Sequence, residues 1–240
     1  MNKKITIAVA GLAVALLALT PVAAQADSSV SVSLNGGTIQ VVGDASDNYI
    51  QIADQSDPAC PGGSPCYEVQ SSSYDSVVAS APCVAPPAAD PTTSPSRALC
   101  PASGVSQLSA FGREGYDQIV VSDFVFGLSL RADLQGGPDN DFLQGSNAAD
   151  VLSGNEGNDT IQSRDGNDLV FGNSGSDRIY GSTGQDTLVG GAGSDNLIGG
   201  LGNDRLFGSA GNDGMDGAQG FDRCAGGTGR DAPRHCERIK

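Results

Sequence analysis

What this sequence lacks narrows its chemistry before any motif is read. One histidine, His235, stands among 240 residues, so an HExxH zinc-protease motif is excluded and no Ser-His-Asp triad is evident. Six cysteines include no CxxC pair, which leaves a zinc site few nitrogen and sulfur ligands. Positive charge is scarce: 13 Lys and Arg against 28 Asp and Glu give a net charge of −15. That balance argues against nucleic acid or an anionic membrane as partner and suits multivalent cations. Beyond residue 26 there is no long apolar run and no helical periodicity. With 34 glycines and abundant Asp, Asn and Ser, helix is disfavoured on propensity too, and the chain reads as all-β.

Residues 1–26 carry the marks of a secretory signal. Lys3 and Lys4 form a basic start, Ile5 to Leu19 a nearly unbroken apolar stretch, and Ala24-Gln25-Ala26 a small-residue cleavage site. The run is short for a membrane span, although an uncleaved anchor is the competing reading. No cysteine lies in the segment, so a lipid anchor is not indicated. The expectation is a secreted, extracellular chain beginning at Asp27. An even number of cysteines in an oxidising compartment predicts pairing. Proximity suggests Cys60–Cys66, Cys83–Cys100 and Cys224–Cys236, among 15 pairings that six cysteines permit.

Residues 27–135 form an N-terminal β region. Val30, Val32, Leu34, then Ile39 and Val41 across an Asn35-Gly36-Gly37 turn, then Ile50 and Ile52, alternate as strands do. Residues 57–108 hold nine of the 12 prolines and four of the six cysteines, and read as a long surface excursion tied by disulfides. Residues 112–119 show the spacing Gly115, Asp117, Ile119, and residues 121–135 are again strand-like. A basic tail, 233–240, closes the chain.

Between these lies the dominant feature. An aspartate stands at every ninth position: Asp141, Asp150, Asp159, Asp168, Asp177, Asp186, Asp195, Asp204, Asp213, Asp222 and Asp231. A glycine two residues earlier accompanies nine of the eleven, and Leu, Ile, Val or Met two residues later accompanies nine. The glycine-rich half of each unit suits a tight turn and the other half a very short strand. Two units make one 18-residue coil, so eleven units give about 5.5 coils, roughly 26 Å long at the ~4.8 Å strand spacing. Alternate aspartates then stack on opposite edges: Asp141, Asp159, Asp177, Asp195, Asp213 and Asp231 on one, the other five on its opposite. Each unit buries only about one Leu-sized side chain, while the stacked carboxylates repel. A cation between successive turns removes that repulsion. All-oxygen, flexible ligands favour Ca²⁺ over Mg²⁺ or Zn²⁺. Coupled calcium binding and folding is therefore expected; a metal-free glycine-rich solenoid or a disordered acidic tract are the alternatives.

The spacing resembles the repeats-in-toxin (RTX, haemolysin-type) calcium-binding nonapeptide, G-G-x-G-x-D-x-U-x. Residues 190–198 and 199–207 match it in full. The resemblance covers 136–231 and implies a right-handed parallel β-roll over 136–232, with Ca²⁺ between same-side turns and at most nine ions. It carries the ligand role onto Asp141, Asp150, Asp159, Asp168, Asp177, Asp186, Asp195, Asp204, Asp213 and Asp222. Asp139 and Ala148 replace the turn glycine in the first two units, and Cys224 and Ala232-Pro233 break the last ones. That decay suits a cap pinned by Cys224–Cys236. An N-terminal signal also differs from the one-step export, through a C-terminal signal, of many RTX proteins.

Enzyme motifs are weak. Gly172-Asn173-Ser174-Gly175-Ser176 falls in repeat register, and residues 227–232 mimic a dinucleotide fingerprint without strand–turn–helix context. The chain is read as a non-enzymatic binding or structural module. The runner-up is a small carbohydrate-active enzyme or carbohydrate-binding protein, with Asp117, Asp123 and Arg131 as the place to look. A cell-surface or polysaccharide partner stays open.

Overall fold

The computed structural model describes residues 29–43, 48–55, 66–71, 76–78, 97–102, 105–122 and 130–239. The signal segment, Cys60, Cys83 and Asp123 lie outside them. The described residues contain no helix, and so none long and apolar enough to cross a membrane. Two sheets, of 11 and 10 strands, face each other across a narrow core. In the repeat region successive strands alternate between the sheets, so each sheet gains one strand per 18 residues. Arg131–Gly137, Val151–Glu156, Leu169–Ser174, Thr187–Ala192, Arg205–Ala210 and Arg223–Thr228 stack parallel in one. Phe142–Gln144, Thr160–Gln162, Arg178–Thr183, Asn196–Leu201, Gly214–Gln219 and Ala232–Arg234 stack parallel in the other. This is a β-solenoid matching a parallel β-roll, as the nine-residue period requires.

Register carries the aliphatic residues into two inward columns. Leu152, Val170, Leu188, Leu206 and Cys224 align in one sheet. Leu143, Ile161, Ile179, Leu197 and Met215 align in the other. All ten are buried. Each strand thus turns one apolar residue inward between a buried aspartate and a buried glycine (a buried serine, Ser163, after Ile161), a core too thin for a second aliphatic layer.

Both sheets continue without interruption past the first repeat. Thr38–Val42 and Gln107–Phe111 extend the 11-stranded sheet, and Tyr49–Gln55 and Gln118–Val121 the 10-stranded one. Here two inward residues per strand are apolar: Ile39 and Val41, Leu108 and Ala110, Ile50 and Ile52, Ile119 and Val121. Three pieces of the Pro- and Cys-rich segment are also strands, of which Ser76–Val78 pairs parallel with Ser29–Asn35 at the end of the 11-stranded sheet. Cys66–Ser71 and Arg97–Pro101 pair antiparallel at the end of the 10-stranded sheet, with Cys66, Val69, Ala98 and Cys100 buried. Cys66 and Cys100 are each disulfide-bonded.

At the other end Cys224 and Cys236 form a disulfide, with Cα atoms 5.8 Å apart. It pins the tail so that Arg238 and Ile239 pair with Arg223 and Cys224. His235 Nδ1 lies 2.6 Å from Asp216 Oδ1, and this contact holds the Asp216 carboxyl below its ordinary value. A cross-link closing so short a loop is worth about 3 kcal/mol through the unfolded chain. The Cys224→Ser/Cys236→Ser double variant is expected to lose about 2–3 kcal/mol in urea unfolding of the calcium-loaded protein. Its loss of hydrogen-exchange protection should be confined to the last coil.

Candidate metal centre

Most of the repeat turns include one position whose backbone only glycine adopts freely. At Gly202 φ is +135°, and a Cβ there would lie 1.6 Å from the carbonyl oxygen of Gly184, one coil earlier. The close approach lets Gly184 N–H donate to the Leu201 carbonyl at 2.8 Å. Turns of successive coils therefore stack almost in contact, and their aspartates stack with them.

The aspartates form two hydrogen-bonded ladders. On one edge the Asp141 N–H donates to Asp159 Oδ1, Asp159 to Asp177, Asp177 to Asp195, Asp195 to Asp213 and Asp213 to Asp231, at 2.8–3.2 Å. On the other, Asp150 donates to Asp168, Asp168 to Asp186, Asp186 to Asp204 and Asp204 to Asp222, at 2.8–2.9 Å. Each carboxylate thus spends Oδ1 on the backbone of the preceding coil.

Oδ2 is different. In Asp141, Asp159, Asp168, Asp177, Asp186, Asp195, Asp204, Asp213 and Asp222 it is buried and accepts no hydrogen bond. A buried carboxylate oxygen in that state is costly unless a proton or a cation meets it. Its setting is a glycine cradle, except at Asp168, where Ser163 takes the glycine's place and its hydroxyl donates to the Gly181 carbonyl at 2.8 Å. A Cβ at Gly172 would lie 2.2 Å from Asp177 Oδ2 and 2.6 Å from the Gly190 carbonyl oxygen of the next coil; at Gly181 the corresponding distances are 2.5 and 2.5 Å. Any side chain there would fill the space that these oxygens border. The cradle offers oxygen atoms alone, the donor set of a hard cation such as Ca²⁺. Among the described residues no three His, Cys, Asp or Glu side chains gather at one point. A coordination shell at these turns must therefore be completed by backbone carbonyls.

Burial raises the carboxyls first, and neighbouring charge adds to it. Asp141 is pushed up to about 8, with Asp117, Asp159 and Asp139 contributing repulsion. Asp159 and Asp168 reach about 7, Asp186 and Asp195 about 6. Asp177, Asp204, Asp213 and Asp222 are raised by the same desolvation. Metal-free, the ladder is a row of carboxylates held where they resist ionising.

A model of the RTX calcium-binding nonapeptide repeat matches four times, at 135–170, 153–188, 162–197 and 189–224. Residues 135–224 are RTX calcium-binding repeats. RTX repeats bind Ca²⁺, and the oxygen-only cradle agrees with that ion. No curated protein gives a match to the chain.

Every RTX aspartate singled out from the sequence is buried on its expected edge. Asp150 stands apart. Its Oδ2 accepts from the Ser146 N–H at 2.6 Å and from the Ser146 hydroxyl at 2.9 Å, so its cradle is already satisfied. Hydrogen bonding partly offsets burial, and its carboxyl reaches about 6. Before Asp150, the column that holds aspartates in the RTX coils holds Ala132, Leu108 and Ile39, all apolar and buried. Asp117, considered from the sequence for sugar chemistry beside Arg131, is buried in the first ladder instead, whereas Arg131 is exposed.

The sequence reading missed a further set of bridges, outside the two aspartate ladders. Where Asn or Ser precedes the aspartate, it bridges coils on the outside of the turn: Asn140 Oδ1 accepts from Asn158 N–H at 2.5 Å, Asn158 from Ser176 at 2.7 Å, Asn167 from Gln185 at 2.8 Å, and Asn203 from Phe221 at 2.9 Å. It runs in the opposite sense to the aspartates, with side chains reaching forward. Its signal was visible as recurrent Asn or Ser before Asp. Glu237 was also missed: its carboxylate accepts from the Asp222 N–H, ending the second ladder where the period breaks.

Proposed function

We propose that this is an exported protein whose RTX roll folds by taking up calcium between same-side turns, and that it acts as a non-enzymatic binding or structural module. The observation that carries the reading is the set of nine buried Oδ2 atoms without a hydrogen bond, each pushed toward the protonated form by burial. Nothing in the thin core offsets that cost, and a divalent cation does. Asp141, Asp159, Asp168, Asp177, Asp186, Asp195, Asp204, Asp213 and Asp222 are the proposed carboxylate ligands, completed by turn carbonyls. The stacked turns offer nine gaps, of which seven have such an oxygen on both sides, four on one edge and three on the other. Asp150 is a poorer ligand because Ser146 holds its Oδ2.

Export is supported by the signal-like residues 1–26 and by the Cys224–Cys236 disulfide, which fits an oxidising exterior. Extracellular calcium modules bind at about 10⁻⁴–10⁻³ M, so folding would await arrival outside the cell. The test is circular dichroism of the mature chain titrated with Ca²⁺ from metal-stripped buffer at neutral pH. The expected result is a large, saturable and cooperative gain of β signal, reversed by chelator. Unchanged β content in excess chelator sinks the reading.

A further inference from the structure

We propose that the turns 112–117 and 136–141 form an additional cation site, reaching outside the recognised repeats and bearing more negative charge than the sites within them. It rests on the calcium reading above, because it uses the same oxygen set.

The ladder does not stop where the nine-residue period does. Asp117 is fully buried, and its N–H donates to Asp141 Oδ1 at 2.7 Å, across 24 residues rather than 18. Its turn repeats the cradle closely. A Cβ at Gly112 would lie 2.2 Å from Asp117 Oδ2 and 2.4 Å from the Gly136 carbonyl oxygen, against 2.2 and 2.6 Å at Gly172. Arg113 holds φ at +90°, and its carbonyl oxygen faces Gly137 at 1.9 Å from a Cβ there. Asn173, with φ at +76°, faces Gly191 in the same way at 2.1 Å. The independent observation that a ligand belongs here is Asp141 itself, 2 % exposed, whose Oδ2 lies in the adjoining cradle and accepts no hydrogen bond.

Two features separate this gap from the others. Asp139 occupies the turn position that glycine holds in later units, with φ at +83°, and its Oδ2 accepts from the Gly115 N–H at 3.1 Å. A third carboxylate therefore reaches back onto the 112–117 turn. Below Asp117 the next rung is an amide: Asn48 N–H and Nδ2 both donate to Asp117 Oδ1, at 2.8 and 2.7 Å. A Cβ at Gly43 would lie 2.9 Å from Asn48 Nδ2, where the later cradles present a carboxylate oxygen. An N–H donor there repels a cation, so this gap is the last on its edge. Asp139, exposed and bonded to the Gly115 N–H, adds negative charge beside the gap and not a third ligand, and that charge makes this the tightest of the sites.

Crystals of the mature chain grown in Ca²⁺ should show anomalous scattering between the two turns, with Asp117 and Asp141 as ligands. They should keep that peak longest as calcium is withdrawn. Ions at the repeat turns but none here overturn the proposal; ions at no turn overturn the calcium reading with it. A peak here that is lost before those at the repeat turns overturns its claim to the highest affinity. In solution, Asp117→Asn should bind one ion fewer by native mass spectrometry, with β signal at saturating calcium retained. Asp165→Asn, at an exposed position off both ladders, should keep the full count. An unchanged count in folded Asp117→Asn also overturns the site, and if that variant does not fold, the wild-type crystals decide.

Discussion

Replacing Gly202 with alanine should unfold the C-terminal coils, whereas the same change at Gly214, twelve residues away, should be neutral or stabilising. At Gly202 the backbone sits at φ +135°, a region essentially closed to L side chains, and the new methyl would be 1.6 Å from the Gly184 carbonyl oxygen. Backbone cannot step aside as a flexible side chain can. Coils 184 and 202 must separate, and separation stretches the hydrogen bond from Gly184 N–H to the Leu201 carbonyl and opens the Gly181 cradle between them. At Gly214 the nearest atom to an added Cβ is Asn196 Oδ1 at 3.4 Å, ordinary contact, and φ is not in the left-handed region. There alanine only narrows the unfolded ensemble, a gain of about 0.4–1 kcal/mol. For Gly202→Ala the expected loss is about 4 kcal/mol or more, since strain and overlap act together. In a solenoid each coil touches only its neighbours, so the damage stays on the C-terminal side of the break. Urea unfolding in saturating calcium, with hydrogen exchange to locate the loss, checks both. Equal effects of the two substitutions would show that the turns are not stacked in contact.

That contrast marks how far the sequence could be read. Both residues are glycines in the same array, and the period says which is which: Gly202 stands two before Asp204 and Gly214 one after Asp213. A strict period transmits three-dimensional position because every 18 residues return to the same place on the coil. The edges and the inward aliphatic columns followed from it, whereas the burial of the aspartates is seen only in the fold. Where the period breaks, legibility fails. Asp117 is a rung of the same ladder, but 24 residues separate it from Asp141, so its place cannot be counted off. Ser146 beside Asp150 is a local device with no repeat to announce it. Cys66–Ser71 and Arg97–Pro101 hide in composition typical of loops, because two short inward-facing runs leave little imprint among so many prolines and serines.

The two ends of the solenoid also solve one problem in different ways. Before the repeats, the inward position next to the aliphatic residue is filled by Ile39, Leu108 or Ala132, so burial of apolar surface stabilises the coil without an ion. In the repeats aspartate takes that position, trading apolar contact for a carboxylate that needs a partner. The N-terminal coils therefore present an apolar edge on which the repeat coils can stack. This fits the uninterrupted sheets that join them.

Acid should act in opposite directions on the metal-free and calcium-loaded protein. The ladder carboxyls stand above their ordinary value near 3.9 because burial disfavours the charged form: about 8 for Asp141, about 7 for Asp159 and Asp168, about 6 for Asp186 and Asp195. A group raised on folding contributes stability that is fully present below its unfolded pKa and is lost as pH rises through its folded one. Metal-free, the roll should thus be least stable above about pH 8 and recover structure as pH falls toward 4. Protonation then does in part what calcium does, by removing charge from the buried Oδ2. With calcium the sign reverses, because the ion needs the ionised form and protons compete for it. A site sharing two carboxylates should weaken by up to roughly tenfold per carboxylate for each pH unit below their pKa, which between pH 7.5 and 5.5 is about 10-fold where both stand near 6 and roughly several-hundred-fold where both stand near 7. Circular dichroism in metal-stripped buffer across pH 4–8, beside calcium titrations at pH 5.5, 6.5 and 7.5, measures both arms. Loss of residual β signal on acidifying the metal-free chain would show that Oδ2 burial is not what opposes its folding. A calcium midpoint that ignores pH over this range would show that the ladder carboxylates are not the ligands.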